Sequence, residues 1–173
     1  MNMKNGLRGL SIASVMAVAA TVFAAESRVT VTWAPTDQLS EVKQNQARRG
    51  WLKPEAWEKE LGDYLSRVAG ERLAPGEKLD VSIDDIKLAG DYEPWHSPQA
   101  QDIRFMKDIY PPRVDLHYRL TDASGRTIRE NSAKLRDLSY LQNVSMPNDT
   151  DPLRYDKRLL DDWVRKEFRA DKT

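Results

Sequence analysis

The sequence predicts an α+β fold: a two-layer domain in which two helices cover one face of a mostly antiparallel sheet of about four to five strands. Three observations predict it. Several short segments alternate apolar and polar residues, as half-buried strands do. Two longer segments repeat apolar residues at three- and four-residue spacings, which is typical of amphipathic helices. The strand-like segments follow one another through short connections, which favours antiparallel neighbours.

A cleavable export signal is predicted ahead of this domain. The first eight residues carry Lys4 and Arg8 and no acid, residues 10–23 form a short apolar run, and Ala24 and Ala25 follow it. A positive start, a short apolar centre and small residues at the cut define a secretory signal peptide. The apolar run is shorter than the roughly 20 residues of a membrane-spanning helix. We therefore expect residues 1–24 to be removed, which leaves 25–173 as a single periplasmic domain with no integral membrane segment.

Charge and cysteine content narrow the function classes. The chain carries 27 Lys and Arg against 27 Asp and Glu, and loss of Lys4 and Arg8 leaves 25 against 27. Because no basic run stands out, we expect no nucleic-acid partner. The chain has no Cys, so an exported domain of this size has no disulfides and depends on its core for stability.

The first half of the domain is predicted to contain a strand, a polar loop and a helix. Residues 29–33 alternate β-branched and aromatic side chains and predict a strand that Pro35 ends. Residues 36–53 are polar and predict a loop with one helical turn around Leu39. Pro54 suits the first turn of a helix, which we expect to run to about residue 72. Its apolar positions are Trp57, Leu61, Tyr64, Leu65 and Val68.

A long strand with a phase shift follows. Leu79, Val81 and Ile83 alternate with polar residues, but Ile86 and Leu88 continue the pattern one residue out of phase. A strand keeps one face buried only if its alternation is unbroken, so a β-bulge is predicted near residues 84–85.

The second half is predicted to hold three more strands and a closing helix. Residues 102–108 predict a short strand, and residues 114–120 show the clearest alternation in the chain. Gly125, at the end of residues 122–125, indicates the turn of a β-hairpin. Residues 127–134 are predicted to form the second strand of this hairpin, at an edge of the sheet or on an exposed face. Residues 137–150 predict a loop, and Asp151 with Pro152 can cap the last helix. That helix has as its apolar side Tyr155, Leu159, Leu160, Trp163, Val164 and Phe168.

These patterns predict one shared core. Its expected members are Trp57, Leu61, Leu65, Val81, Ile83, Val114, Leu116, Tyr118, Leu159 and Trp163.

Five segments also resemble a known family. They are DIKLAGDYEPW (85–95), DIR (102–104), YPPRVDLHYRLTDASG (110–125), LRDLSY (135–140), and DPLRYDK with LLDDW (151–157 and 159–163). In this order they are similar to the bacterial family called domain of unknown function 3016. The resemblance implies a secreted or periplasmic protein and carries over no catalytic residue.

No pattern in the chain predicts a catalytic centre, a metal site or a cofactor. Asp91, Glu93 and His96 could supply three metal ligands from one loop, but a polar loop with one His explains them as well. No Ser lies in a nucleophile signature, and the adjacent acids at 84–85 and 161–162 point apart on their elements. Arg104, Arg113 and Arg119 could line one sheet face with Asp115, as a charge-paired solvated surface does. We expect no cofactor and lean against enzyme activity.

The segment between the second strand and the clearest strand is the candidate binding surface. Residues 90–102 are long for a connection between neighbouring strands, and such loops are functional or disordered more often than short ones. Tyr92, Trp95, His96 and Arg104 are the candidate binding residues, with Trp95 the best surface candidate. The alternative is that Tyr92 and Trp95 only close the end of the core. The sequence thus indicates a non-enzymatic binding or accessory domain with a periplasmic or envelope partner, or else an envelope enzyme or enzyme inhibitor that uses residues 91–102.

Overall fold

The computed structural model describes residues 27–45, 53–95, 97–142 and 150–168, and the predicted signal peptide lies outside these ranges. The described residues form an α+β fold, as predicted. Its helices are α1 (Ser40–Asn45), α2 (Pro54–Gly70) and α3 (Arg154–Glu167), with single 3₁₀ turns at Thr36–Gln38 and Pro98–Ala100. Its strands are β1 (Val29–Trp33), β2 (Lys78–Lys87), β3 (Asp91–Tyr92), β4 (Arg104–Phe105), β5 (Arg113–Thr121) and β6 (Thr127–Arg136).

Four of the described strands form the main sheet in the order β1-β2-β5-β6. β1 and β2 are parallel, because the chain between them, which includes α2, crosses back over the sheet before β2 begins. The β2–β5 and β5–β6 pairs are antiparallel, so the sheet is mostly antiparallel, as predicted. β6 is an edge strand whose residues are nearly all exposed, which also confirms the prediction.

The predicted β-bulge is present in β2. Ile83 pairs with Leu116 and Asp85 pairs with Asp115, so Asp84 is an extra residue with no partner of its own in the β5 register. Ile83 and Ile86 are both buried as a result, although residues three positions apart lie on opposite faces of a regular strand. The hairpin between β5 and β6 turns at Gly125, whose φ of +81° lies in the left-handed region that Gly adopts freely.

One continuous core lies between the sheet and helices α2 and α3. All ten predicted core residues belong to it. Leu61 and Val164 are fully buried, and Tyr118 packs edge-on against both Trp163 and Phe168. The opposite face of the sheet is open and polar, so the two layers of the fold are one helical layer and one sheet.

The structure corrects the prediction for residues 102–108. Only Arg104 and Phe105 are extended, and they pair with Asp91 and Tyr92 in a separate two-stranded sheet instead of joining the main one. Arg104 therefore does not lie on the open sheet face beside Arg113 and Arg119. The pairing of so short a strand depends on contacts with other elements, which local alternation does not reveal.

The start of α3 also differs in detail from the prediction. The residue at the N-cap is Leu153, which makes no side-chain capping bond. Asp151 instead accepts the Leu153 N–H at 2.8 Å and the Lys157 ammonium at 2.6 Å, so its carboxylate stabilises the turn just before the helix. Each helix within the described ranges is too short or too polar to cross a bilayer.

Candidate binding site

One end of the molecule is built by residues 88–112, described except for residue 96, which we call the pole segment. The segment begins where β2 ends and folds back along itself through the β3–β4 pair. Gly90 makes the turn possible with a φ of +78°, and its N–H donates to the Tyr110 carbonyl at 2.9 Å. A Cβ at this position would lie 2.7 Å from Met106 Sδ and 2.8 Å from the Phe105 carbonyl oxygen, so only Gly fits.

A buried ion pair fixes the pole segment to the rest of the fold. Glu41 of α1 is fully buried, and Arg104 donates to both of its carboxylate oxygens, at 2.7 and 3.1 Å. The same guanidinium donates to the carbonyls of Leu88, Ala89 and Gly90 at 2.6 to 3.0 Å. A bidentate pair with its remaining donors satisfied holds one geometry, so Arg104 joins α1, the end of β2 and β4.

The charge of Glu41 is maintained despite its burial. Burial alone would raise the pKa of this carboxyl, but the hydrogen bonds and charges of Arg104 and Lys87 outweigh burial and hold the pKa below its usual range. Lys87 Nζ lies 3.1 Å from Glu41 Oε2 and 3.5 Å from Asp91 Oδ1. The buried acid is therefore ionised, and both neighbouring cations are engaged by it.

Asp156 of α3 also binds the chain just after the end of β2. Its Oδ1 accepts the Ala89 N–H at 3.0 Å, whereas its buried Oδ2 has no hydrogen-bond partner among the described residues. Burial raises the pKa of Asp156 to about 7, although the Ala89 N–H and the charge of Arg104 act in the opposite direction. This carboxyl is therefore partly protonated near neutral pH.

A second buried acid stabilises the far part of the pole segment. Glu93 is 3 % exposed, and Lys107 Nζ lies 2.7 Å from both of its carboxylate oxygens. The Tyr110 hydroxyl donates to Glu93 at 2.9 Å, which raises the pKa of that hydroxyl. The segment is thus held by side chains at both ends, as a rigid surface for recognition requires.

A cavity of about 290 Å³ opens beside the pole segment, where β5 begins and β6 ends. Its walls come from the end of α1, the turn at Gly90, residues 109–111 and the two strands. We call it the arginine pocket, because Arg113 and Arg136 both line it and stand directly opposite each other in the β5–β6 register. Lys87 and Asp91 add one charge of each sign, and Gln44, Gly90, Ile109, Tyr110 and Pro111 complete the lining.

The fold brings two of the four predicted binding residues, Tyr92 and Arg104, together as cross-strand partners, and it leaves Trp95 on the surface. Tyr92 is buried at 4 % exposure, with the Arg104 guanidinium 5.3 Å from its ring centre, so it is part of the interior. Trp95 is 73 % exposed. Arg104 points inward to Glu41, and His96 lies outside the described residues.

Sequence reasoning missed the arginine pocket and the buried acids. The pairing of Arg113 with Arg136 could not be found by counting outward from the turn at Gly125, because the register shifts by one residue between the Thr121–Thr127 pair and the Leu120–Arg129 pair. Glu41 and Asp156 carried no local signal either, because they come from helices distant in sequence from residues 88–112.

The open sheet face carries acids and bases that are paired with each other. Asp84 contacts His117 Nδ1 at 2.9 Å, and Glu130 contacts Arg119 at 3.1 Å. Ser82 is the direct cross-strand neighbour of His117, so the residue types of a hydrolase triad meet here. The structure describes both side chains, however, and no hydrogen bond joins Ser82 to His117. Backbone N–H groups within a sheet bond to the neighbouring strand, which leaves few donors for an oxyanion.

A family model described as "Protein of unknown function (DUF3016)" matches residues 27–166. A search of curated proteins found no match to the chain. The matched region includes every helix and strand described above up to the last turn of α3.

Proposed function

Since the chain belongs to the DUF3016 family, whose description assigns no function, we propose from its own residues that it is an exported, non-enzymatic binding domain of the periplasm. Its working surface is the pole segment, and its partner is a protein of the periplasm or cell envelope. The observation that carries the proposal is that buried ion pairs hold this segment rigidly while its large apolar side chains face outward.

The exposure of those side chains supports a contact surface. Five large apolar residues are exposed within the described ranges, and three of them lie in the pole segment: Trp95 at 73 %, Ile109 at 72 % and Ile103 at 53 %. Large apolar side chains on a rigid surface are typical of protein–protein contacts, in which Trp is a frequent anchor. Tyr92, by contrast, is buried, so Tyr92 stabilises the segment and Trp95 is free to bind.

The N-terminal sequence supports the periplasmic location. The cations of residues 1–8, the apolar run at 10–23 and the small residues at 24–25 form a secretory signal. The family match begins at residue 27, just after this stretch. An exported domain without Cys cannot exchange disulfides with a partner, so the partner is held by noncovalent contacts.

The proposal is tested by comparing Trp95→Ala with wild type in capture from a periplasmic extract, using tagged chains purified from the same fraction. We expect Trp95→Ala to lose a protein that wild type enriches, identified by mass spectrometry. Its melting temperature should hardly change, because substitution of an exposed side chain alters stability by about 0.5 kcal/mol or less.

Ile128→Ala is the matched control, since Ile128 is exposed at 48 % on β6, away from the pole segment. It should capture the same protein as wild type. Capture that survives Trp95→Ala, or that both variants lose equally, would contradict the assignment of the working surface. A strong loss of stability in Trp95→Ala would mean that this Trp packs as part of the fold.

A further inference from the structure

We infer that the arginine pocket binds an oxyanion group, a carboxylate or a phosphate, through Arg113 and Arg136. This inference rests on the proposed function, since it names the chemistry that the surface beside the pole segment recognises. At about 290 Å³ the cavity is near the lower end of the range for small-molecule sites, so it fits one anionic group and a few attached atoms.

The first argument is the direct opposition of two like charges. Arg113 and Arg136 are cross-strand partners in the antiparallel β5–β6 pair. Residues directly opposite in such a pair have Cβ atoms about 4.5–5.5 Å apart, and like charges at this position destabilise the sheet. An anion between the two guanidinium groups would remove this repulsion.

The second argument is that neither guanidinium is neutralised within the described part of the chain. No ion pair there includes Arg113 or Arg136, whereas Arg119 and Arg129 on the same two strands contact Glu130 and Glu167. The nearest acid along β5, Asp115, lies 3.9 Å from Lys134 instead. The two arginines of the pocket thus differ from the other arginines of these strands.

The third argument is a buried donor. The Nε–H of Arg113 is inaccessible to solvent and has no hydrogen-bond partner among the described residues. Burying such a donor without an acceptor costs free energy, so polar atoms of this kind are normally satisfied. An oxyanion in the pocket would provide the acceptor if the Arg113 side chain turns this buried donor toward it on binding.

The other charged side chains of the pocket, Lys87 and Asp91, are already paired, so the two arginines carry its net positive charge. Lys87 lines the cavity but is engaged by Glu41 and Asp91, at 3.1 and 3.5 Å. Asp91 is the single acid among the lining residues, and its Oδ1 also accepts the Tyr92 N–H. An entering anion is therefore attracted by two unpaired guanidinium groups and meets one carboxylate that is already compensated.

The cavity wall indicates what carries the anion. Ile109 and Pro111 contribute apolar surface next to the arginines, and Ile109 is 72 % exposed. The Tyr110 hydroxyl donates to Glu93, so its proton is already engaged. A ligand with an apolar group beside its anionic end fits both surfaces, and this is the chemistry of an acidic group on a larger molecule.

The test follows the side-chain Nε–H resonances of the arginines in ¹H–¹⁵N spectra of the mature protein. Inorganic phosphate and acetate are titrated separately, with chloride at matched ionic strength as the reference. We expect the Arg113 resonance, assigned by its loss in Arg113→Gln, to shift and saturate with at least one oxyanion. Response to phosphate alone assigns a phosphate ligand, and response to acetate alone assigns a carboxylate.

Three variants complete the test. Arg136→Gln and Arg113→Gln should each weaken binding about tenfold or more, the effect of losing a charge-assisted hydrogen bond. Arg119→Gln, the matched control on β5, should bind as wild type does. Without added oxyanion, Arg136→Gln should melt no lower than wild type, since it removes a repulsion.

Three outcomes would overturn the inference: no response to either oxyanion, an equal response to chloride, or undiminished binding by Arg136→Gln. Because Arg136 is exposed, its variant remains informative even if Arg113→Gln does not fold. The proposed function can fail separately. If Trp95→Ala captured the same protein as wild type, the proposed function would be wrong, but anion binding by the arginine pocket would be unaffected.

Discussion

At the scale of single residues, the charged groups in and around the pole segment are of three kinds. Glu41 and Glu93 are buried and fully engaged by cations, so they determine where the pole segment lies. Arg113 and Arg136 are unpaired among the described residues and face a cavity, so they are available to a ligand. Asp156 is of the third kind, because it is buried and one of its carboxylate oxygens has no partner in the described structure.

Asp156 should make stability depend on pH in a specific direction. Its pKa is about 7 in the folded state against an ordinary value of 3.8. Between these values the folded state binds more protons than the unfolded state, so stability falls as pH rises from about 4 to about 7 and then levels off. Asp156→Asn mimics the protonated form, so its free energy of unfolding should exceed that of wild type by an amount that grows over this range.

The measurement is urea unfolding of wild type and Asp156→Asn across that pH range. Asp162→Asn is the control, because Asp162 lies exposed on the same helix. A difference between wild type and Asp156→Asn that is the same at every pH would show that burial does not perturb this carboxyl.

At the scale of elements, β2 shows how a local irregularity preserves a buried face. Asp84 is the extra residue of the bulge, and the pairs on either side of it, Ile83 with Leu116 and Asp85 with Asp115, are consecutive in β5. The apolar residues before and after the bulge consequently face the same core. The bulge also places Asp84 beside His117 on the open face.

Deletion of Asp84 should therefore be tolerated, because it restores regular alternation and keeps every later pair of β2 with β5. We expect a cost of about 1 kcal/mol, from loss of the exposed pair with His117. Deletion of Ser82 is the control, since it moves Ile83 to the open face and should prevent stable folding. Circular dichroism melts of the two deletions make the comparison. If both deletions lowered the melting temperature equally, the fold would require the bulge itself, and correct alternation of buried residues along β2 would not be sufficient.

At the scale of the whole molecule, a single core supports a polar sheet face and a rigid pole segment. Tyr118 packs from the sheet against Trp163 and Phe168 and donates to Glu167, so sheet and helix α3 are joined by both apolar and polar contacts. Burial and the hydrogen bond to Glu167 raise the pKa of Tyr118 to about 12, so this donor keeps its proton at any physiological pH.

The export hypothesis belongs to this scale and has a direct measurement. N-terminal sequencing of the chain isolated from a periplasmic fraction should begin at Ala25 or Glu26, because signal peptidase cuts after small residues. Substitution of Ala24 and Ala25 by Leu should leave the full chain in the membrane fraction. A chain that still begins with Met1 and stays in the cytoplasm would contradict export.

The local patterns of the sequence were sufficient to predict the four strands of the main sheet, the two long helices and the core. Alternation in β1, β2 and β5, the phase shift at Asp84, and the Gly125 turn are each encoded within a few residues. The helical spacings of α2 and α3 placed Trp57 and Trp163 in the core for the same reason. Burial of one face imposes a fixed period on each element, so the period can be detected without knowledge of the neighbours.

The tertiary structure alone decided which polar groups meet. Arg104 binds Glu41 across 63 residues of sequence, and Asp156 binds the Ala89 N–H across 67. The same contacts removed residues 104–105 from the main sheet and turned a predicted surface Arg into an interior one. A polar side chain has no period that identifies its partner, because its environment depends on which elements pack together and in which orientation. The core was therefore determined by the sequence pattern, and the candidate site by the packing.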